Sequence, residues 1–485
     1  MIVEPDYDVI IAGGGMSGLI SAAAVATYSK QKSRILVVDR NPQLEAGKKT
    51  ANGWTCGDAV SKNSVDYLAK NVGIQYGRPE LEHEVKGVYV YSPDHETKVL
   101  FEGSGYTLNR KLLPQRQVKD AKKLGVEFQF NVALESLLHE NGYVIGVQGR
   151  SLLDGSVFKR SAKIVIDATG SASKLRANLP IESHIQKDID KDDLEATGRY
   201  IYDFATGKED RTYFDADYCI IHLDQYLAPG GYAWTFPKGP QKVNIGLGVQ
   251  KKALEKRNKH YAKNDTLQSL IDEYVGSNVA IKDPVLAEGQ TDEGNAKGSW
   301  QVPVRRQNDC MVADGYALVG DAAWMPRPID AGGIGPSIYG SVILGKIVAL
   351  ALEAKDVSKD GLWQYNIDYM DYYGYQMASF EILRRYLQTI TNSQIDYGMK
   401  YFLSEDDIAN IVKRQHPNFN RVAMLNPMMW FRILGNLDLA KGLRFTATKS
   451  EQLIQHNLKY PKSPEGFLEW RKGLHSLLEE AYSRF

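Results

Sequence analysis

Asp8-Val-Ile-Ile-Ala12, then Gly13-Gly-Gly-Met-Ser-Gly18, then the Ala-rich run Leu19 to Tyr28 read in order as a strand, a tight turn and a helix. Arg34-Ile-Leu-Val-Val38 reads as a second buried strand ending at Asp39, which completes a β-α-β unit. In Gly13-x-Gly15-x-x-Gly18 the first glycine permits a tight turn. The second lets the backbone approach a pyrophosphate, and the third lets helix and strand pack closely. The N-terminus of the helix that follows offers free N–H groups and a dipole that favour anions, and Ser17 joins the glycines as a candidate cofactor-binding residue. Asp39 lies about 21 residues after Gly18, where a carboxylate accepts from a ribose hydroxyl, and Arg40 beside it joins the candidate cofactor-binding residues. A lone glycine pattern is a weak signal. The strand–turn–helix–strand–acid context makes this one a dinucleotide site, without separating FAD from NAD.

Working outward, residues 47–60 form a Gly-rich loop leading into a helix around Ser61 to Val72. Residues 85–105 alternate apolar and polar positions as strands do. Arg110 to Leu124 reads as a helix, and Val126 to Asn131 as a strand. Tyr143 to Arg150 with Ser156 to Ala162 reads as a hairpin, and Lys163-Ile-Val-Ile166 as a buried strand before Asp167-Ala-Thr-Gly170. From about residue 183 the texture changes to β-like pieces at 198–204, 211–223, 231–237 and 242–249, as in an inserted antiparallel sheet. A helical stretch covers roughly 251–276. Everything after 360 is helix-like and rich in Tyr, Leu and Arg.

A second motif separates the two dinucleotides. Ala317-Leu-Val-Gly-Asp-Ala-Ala323 ends a buried strand at Asp321; Asp330-Ala-Gly-Gly-Ile-Gly-Pro336 and a helix from about Pro336 to Leu352 follow. Here the chain resembles the FAD-dependent reductases and hydroxylases of the p-hydroxybenzoate hydroxylase superfamily. The resemblance implies that Asp321 binds the flavin-side ribose. It also implies that Gly332, Gly333 and Gly335 face the pyrimidine edge of the flavin, where N–H groups stabilise negative charge. Asp167-Ala-Thr-Gly170 matches that family's middle strand, and Arg110 occupies the place of an Arg near the pyrophosphate.

Pro229-Gly-Gly-Tyr-Ala-Trp-Thr-Phe-Pro237, with Gly246-Leu-Gly248 after it, resembles the pocket sequence of the geranylgeranyl reductases. Tyr232, Trp234 and Phe236 alternate by two, so their rings share one face of a strand. An aromatic wall of this kind suits a prenyl chain, which gains about 0.8 kcal/mol per CH₂ taken out of water. The same rings would also serve as ordinary core. Trp54-Thr-Cys-Gly-Asp-Ala59 is similar to the Cys-Gly-Asp-Ala segment of the archaeal members. This implies that Cys56 and Gly57 approach the flavin, with Cys56 a candidate for a redox or proton-transfer role. Against that stands the ordinary fate of a lone cysteine as a small buried hydrophobe.

Composition narrows the alternatives. Lys+Arg and Asp+Glu are both 59, so no basic excess points to nucleic acid. The three cysteines, Cys56, Cys219 and Cys310, are far apart, which argues against a Cys-ligated metal or cluster and against a disulfide scaffold, and suggests a reducing, cytoplasmic setting. No signal peptide is visible, and the apolar run Ser341 to Ala354 is too short to span a bilayer. Peripheral contact with a membrane stays open.

The expected fold is α/β: an FAD-binding Rossmann-like three-layer domain with an inserted antiparallel substrate sheet and a helical C-terminal region. The expected division is 1–84, 107–180 and 300–350 for the flavin; 85–106 and 183–299 for the substrate; and 351–485 for the helices, which close the pocket. The resemblance implies reduction of geranylgeranyl double bonds in an isoprenoid lipid such as digeranylgeranylglyceryl phosphate. Cys56, Tyr232 and Trp234 are the catalytic candidates, and Tyr232, Trp234 and Phe236 the substrate-binding ones. Trp234 would steady positive charge at the branched carbon by cation–π attraction, worth roughly 1–2 kcal/mol when desolvated. Cys56 and Tyr232 are the candidate proton donors. No second GxGxxG unit is present for NADPH, so NAD(P)H and ferredoxin both stand as electron donors. Three rivals use the same motifs. A flavin monooxygenase is one, and a non-catalytic flavin-binding or lipid-carrier protein another. The third, a quinone-reducing flavoprotein, would carry a C-terminal cysteine cluster, and this chain has no cysteine after Cys310.

Overall fold

The structure, a computed structural model, describes residues 4–43, 56–287, 296–402 and 435–485. The expected loop at 47–60 is therefore seen only from Cys56 onward, and Trp54 lies outside the described residues. Two sheets organise the chain.

The first sheet runs in the order Val312–Ala313, Tyr316–Leu318, Val157–Asp167, Tyr7–Ala12, Ile35–Val38, Glu127–Gln129. Its central pairings are parallel, as the β-α-β reading requires. Val9, Ile10, Ile11 and Ala12 are wholly buried, the condition of a parallel strand covered on both faces. The expected hairpin is present and has a third strand, Val132–Glu140. Val157–Ala162 and the strand expected at 163–166 are one element. Its first half pairs antiparallel with Tyr143–Ser151, and its second half parallel with Tyr7–Ala12.

The second sheet has nine strands, ordered Ile281–Leu286, Leu194–Thr206, Lys242–Gln250, Ala233–Gly239, Cys219–His222, Leu81–Tyr91, Lys98–Leu108, Ala59–Ser61, with Lys297–Pro303 also on Leu194–Thr206. It crosses the expected boundaries at both ends. Ala59–Ser61 pairs with Gly105–Thr107, and Lys297–Pro303 continues past residue 299, because ladder hydrogen bonds follow register and not sequence neighbourhood. Cys219–His222 runs parallel to Leu81–Tyr91, so the sheet is mixed where an antiparallel one was expected. Of the expected strand at 211–223 only Cys219–His222 forms.

The helix expected from Pro336 begins at Ile334 and ends at Ala354. Its 21 residues are long and apolar enough to cross a membrane, which corrects the reading of that run as too short. Here it is a core helix: 83% of its most apolar window is buried. It packs on helix Met16–Tyr28 through small residues. A Cβ on Gly345 would lie 2.4 Å from Ala24 Cβ, and Ser341 Oγ donates to Ser17 O at 3.0 Å. The C-terminal helices dock on the first sheet through Tyr365 Oη to Leu318 O (3.0 Å), and the turn after helix Leu437–Asn457 is held by Tyr460 Oη to Asp309 O (2.8 Å), in the segment leading into that sheet's strand Val312–Ala313. One of them, Met377–Leu387, also reaches the second sheet, where Arg384 Nη2 donates to Asp193 Oδ1 at 2.6 Å.

Candidate active site

The first glycine turn is built as its spacing implies. Gly13 has φ +103°, and a Cβ there would lie 2.4 Å from Ala168 O, so the Asp167-Ala-Thr-Gly170 segment closes the back of the turn. A Cβ on Gly18 would lie 1.9 Å from Gly13 O. Gly15 differs: nothing stands within 4 Å of its Cβ position, and it opens helix Met16–Tyr28 with no side-chain cap. That leaves an open, donor-rich helix end.

The second turn meets the first. A Cβ on Gly320 (φ +66°) would lie 2.2 Å from Ser17 Oγ, so the residue before Asp321 rests on the first helix. Gly333 leads into helix Ile334–Ala354, again with no side-chain cap. The turn between is tied internally: Arg327 Nε donates to Asp330 Oδ1 at 2.8 Å, and Gly332 N to the same oxygen at 3.0 Å. Gly335 faces Ser64, whose Oγ would lie 2.9 Å from a Cβ there.

Two carboxylates flank these turns. Asp39 accepts from Gly14 N and from Asn41 N (2.7 Å), and burial pushes its carboxyl above the usual range. Arg40 beside it is exposed. Burial also pushes Asp321 up to about 6, opposed by the Arg110 guanidinium. A group with an anionic diphosphate and ribose hydroxyls fits this set: two uncapped helix ends, one open glycine, and two half-buried carboxylate acceptors.

The aromatic row lies against the cysteine segment. A Cβ on Gly57 would sit 3.0 Å from Phe236 Cε2 and 3.7 Å from Trp234 Nε1. Tyr232 and Trp234 rings are 6.0 Å apart, and Trp234 and Phe236 rings 6.2 Å. Trp234 and Phe236 are 6% and 8% exposed and share a small cluster with Val85 and Cys219, so much of each ring is core. Tyr232 is less buried and donates to Asp330 O at 2.6 Å, which ties the second sheet to the second glycine turn.

Beneath Cys56 lies a buried polar cluster that the sequence reading did not single out. Asn244 Nδ2 donates to Cys56 O (2.7 Å) and to Asp58 Oδ2 (2.8 Å), and its Oδ1 accepts from Trp234 Nε1 (3.0 Å). Lys238 Nζ reaches Asp58 Oδ2 at 3.2 Å, Glu82 Oε2 at 2.8 Å and Leu108 O at 2.6 Å. Arg110 Nε lies 3.8 Å from Asp58 Oδ1. Arg199 is 1% exposed; burial lowers its pKa, and Asp58 is the strongest of the charges that oppose the shift. Burial likewise pushes the Cys56 thiol up, against the Arg110 charge. Glu195 and Arg199 could have been found from their period-two spacing with Thr197, had the strand been read from its true start at Leu194.

A parallel nucleotide sheet with two converging glycine turns, faced by a second sheet carrying an aromatic row, defines an FAD-dependent oxidoreductase. Solved structures agree on the fold. A geranylgeranyl bacteriochlorophyll reductase-like protein from Thermoplasma acidophilum superposes with TM-score 0.69 at 20% identity, covering 91% of this chain and 99% of that one. The myxobacterial chondrochloren halogenase, an FAD-dependent halogenase, gives TM-score 0.62 at 16% identity over 89% and 97%. In sequence, residues 197–282 match the geranylgeranyl reductase catalytic domain. The digeranylgeranylglycerophospholipid reductase of Sulfolobus acidocaldarius is 33% identical over 480 residues, 98% of each chain. That of Methanothrix thermoacetophila is 27% identical over 87% of this chain and 97% of its own. The chain belongs to the digeranylgeranylglycerophospholipid reductase family.

Proposed function

We propose that this chain saturates double bonds of geranylgeranyl groups in archaeal ether-lipid precursors, digeranylgeranylglyceryl phosphate among them, with FAD as resident cofactor. One observation carries the reading: Trp234 and Phe236 lie against Gly57, the residue after Cys56, and Tyr232 at the head of the same row is tied to the second glycine turn at Asp330. The names of the family relatives supply the substrate class.

When bound and reduced, the flavin supplies a hydride to one alkene carbon. The chain's own residues do the rest. N–H groups at Gly15, Ser17 and Gly18 hold the diphosphate, with Gly13, its own N–H bonded to Val38 O, making the turn beneath them; Arg110 lies nearby, and Arg40 borders the adenosine side. Asp39 and Asp321 accept from ribose hydroxyls; Gly333 and Gly335 present N–H groups to the ring edge, and Gly332, its N–H held by Asp330, shapes the turn that carries them. Trp234 and Phe236 give the prenyl chain apolar surface, worth about 0.8 kcal/mol per CH₂. The Trp234 face also steadies positive charge at the branched carbon. Cys56 borders the flavin side of the pocket. The working division keeps a flavin body, a substrate sheet and C-terminal helices. A cytoplasmic setting completes the reading; the lipid nature of the substrate supports peripheral contact with a membrane, with NAD(P)H or ferredoxin as reductant.

The test is anaerobic incubation of the chemically reduced, FAD-loaded protein with digeranylgeranylglyceryl phosphate, followed by mass spectrometry. Lipid heavier by successive pairs of hydrogens is expected. Unchanged lipid, with oxygen inserted into an aromatic substrate in air, would overturn the reading in favour of a monooxygenase. Parallel runs with NADPH and with reduced ferredoxin identify the donor.

A further inference from the structure

We propose that Glu195 delivers the proton that completes alkene saturation, acting across the floor left bare at Gly248, beside the Trp234 ring that covers Gly246. The inference rests on the functional reading above and adds a residue to it.

The placement follows from register. Along Leu194–Thr206 side chains alternate, so Glu195, Thr197 and Arg199 share one face. Thr197 pairs with Gly248 and Arg199 with Gly246, while Trp234 pairs with Gly246 from the other side. Glu195 therefore projects on the face that carries Tyr232 and Trp234. The opposite face sends Ile245, Leu247 and Val249 into a core with Tyr200 and Tyr202. The floor at Gly248 is bare: the nearest atoms to a Cβ there would be Thr197 Cγ2 at 3.4 Å and Glu195 Oε2 at 3.5 Å. A side chain on Gly248 would occupy that space; glycine leaves it for a ligand.

The carboxyl is oriented as well as placed. Gln388 Nε2 donates to Glu195 Oε1 at 3.2 Å while also donating to Gly230 O at 2.6 Å. Among the described residues this is the only hydrogen bond to the carboxyl, and it leaves Oε2 toward the glycine floor. The charged and titratable neighbours are few. Arg384 faces Glu195 from the helix that ends beside Gln388, but its guanidinium is engaged by Asp193 at 2.6 Å, which Arg385 also binds at 2.8 Å. Tyr232 faces it from the aromatic row, and Cys56 lies beyond Tyr232. The flanking strands contribute the neutral Gln250 and Val302. Glu195 is 5% exposed, and burial raises its carboxyl to about 7 against the pull of Arg384. Cys56 and Tyr232 are poorer acids. Burial pushes both up, and the Tyr232 hydroxyl is already committed to Asp330 O. An acid matched to neutral pH transfers its proton most effectively.

The step balances. The alkene carbons gain one hydride, with its electron pair, from reduced FAD and one proton from Glu195. The Glu195 O–H bond breaks as the C–H bond forms, the C=C becomes CH–CH, and FAD is left oxidised. The carboxylate regains its proton from water after the product leaves.

Glu195→Gln tests this. The FAD-loaded variant should keep the wild-type flavin spectrum and its reduction by dithionite. Anaerobic reoxidation by digeranylgeranylglyceryl phosphate should slow by roughly 10²- to 10⁴-fold, the usual contribution of a general acid. In wild type that rate should fall as pH rises past about 7, where the acid form is lost, and the variant should lack this step. Glu195→Asp should restore part of the rate. Independently of turnover, infrared difference spectra of resting wild type should show a carboxylic C=O band that titrates near neutrality and is missing in the Gln variant. A variant within threefold of wild type with the same pH profile, or a wild type without that band, overturns the assignment. Wild type that leaves the lipid unchanged sinks the functional reading and this inference with it; wild type that turns over while Glu195→Gln matches it sinks this inference alone.

Discussion

Replacing Lys238 by Met should loosen the Cys56 segment by about 3 kcal/mol. The Lys238 side chain is 1% exposed and touches two carboxylates, Asp58 at 3.2 Å and Glu82 at 2.8 Å. At an effective dielectric of ~20, each contact at ~3 Å is worth roughly 5 kcal/mol of Coulomb attraction, before the desolvation of the ions offsets most of it. Removing one partner of a buried pair typically costs about 3–5 kcal/mol. The low end applies, because Arg110 still lies 3.8 Å from Asp58 and Lys242 still lies 2.7 Å from Glu82. Native-state hydrogen exchange reads the loss locally. Peptides covering 56–61 and 233–239 should exchange about 150-fold faster, the equivalent of ~3 kcal/mol, while the Val132–Ser151 hairpin should not change. The effect has a pH signature. Burial alone would raise the Glu82 carboxyl, but Lys238 and Lys242 hold it below the ordinary 4.5. A depressed carboxylate pKa stabilises the fold above the unfolded value and loses that contribution as pH falls through the folded one. The difference between wild type and Lys238→Met should therefore shrink below about pH 4.5. Less than a fivefold change in exchange at neutral pH would refute the claim that this lysine pins the loop.

Three further outcomes follow from the same geometry. Gly18→Ala places a Cβ 1.9 Å from Gly13 O; overpacking of roughly 1–3 kcal/mol should weaken FAD binding about 5- to 150-fold, read as the flavin-to-protein ratio after dialysis. Tyr232→Phe removes the 2.6 Å bond to Asp330 O, worth about 1 kcal/mol, so kcat/KM for the lipid should fall about fivefold at unchanged FAD content. A hundredfold fall would give the hydroxyl a chemical role. Asp309 is buried among Arg306 (2.9 Å), Arg471 (3.7 Å) and His475 (2.9 Å); Asp309→Asn should weaken docking of the C-terminal helices by about 3–5 kcal/mol, seen as faster proteolysis within 437–482.

Local patterns in the chain settled the nucleotide fold. Gly13, Gly15, Gly18 and Asp39 are read within one β-α-β unit, where turn chemistry and strand burial act over a few residues, and the structure shows the same turn. The aromatic period at 232, 234 and 236 was legible for the same reason, because side chains alternate along any strand. What tertiary structure alone decided was which distant residues share a face. Gly320 meets Ser17, Gly57 meets Phe236, and Lys238 meets Glu82 only through strand register and helix packing. Glu195 is the sharpest case. In sequence it is one acid in a charged stretch; in the fold Gly248 lies bare beside it, and burial raises its carboxyl to about 7.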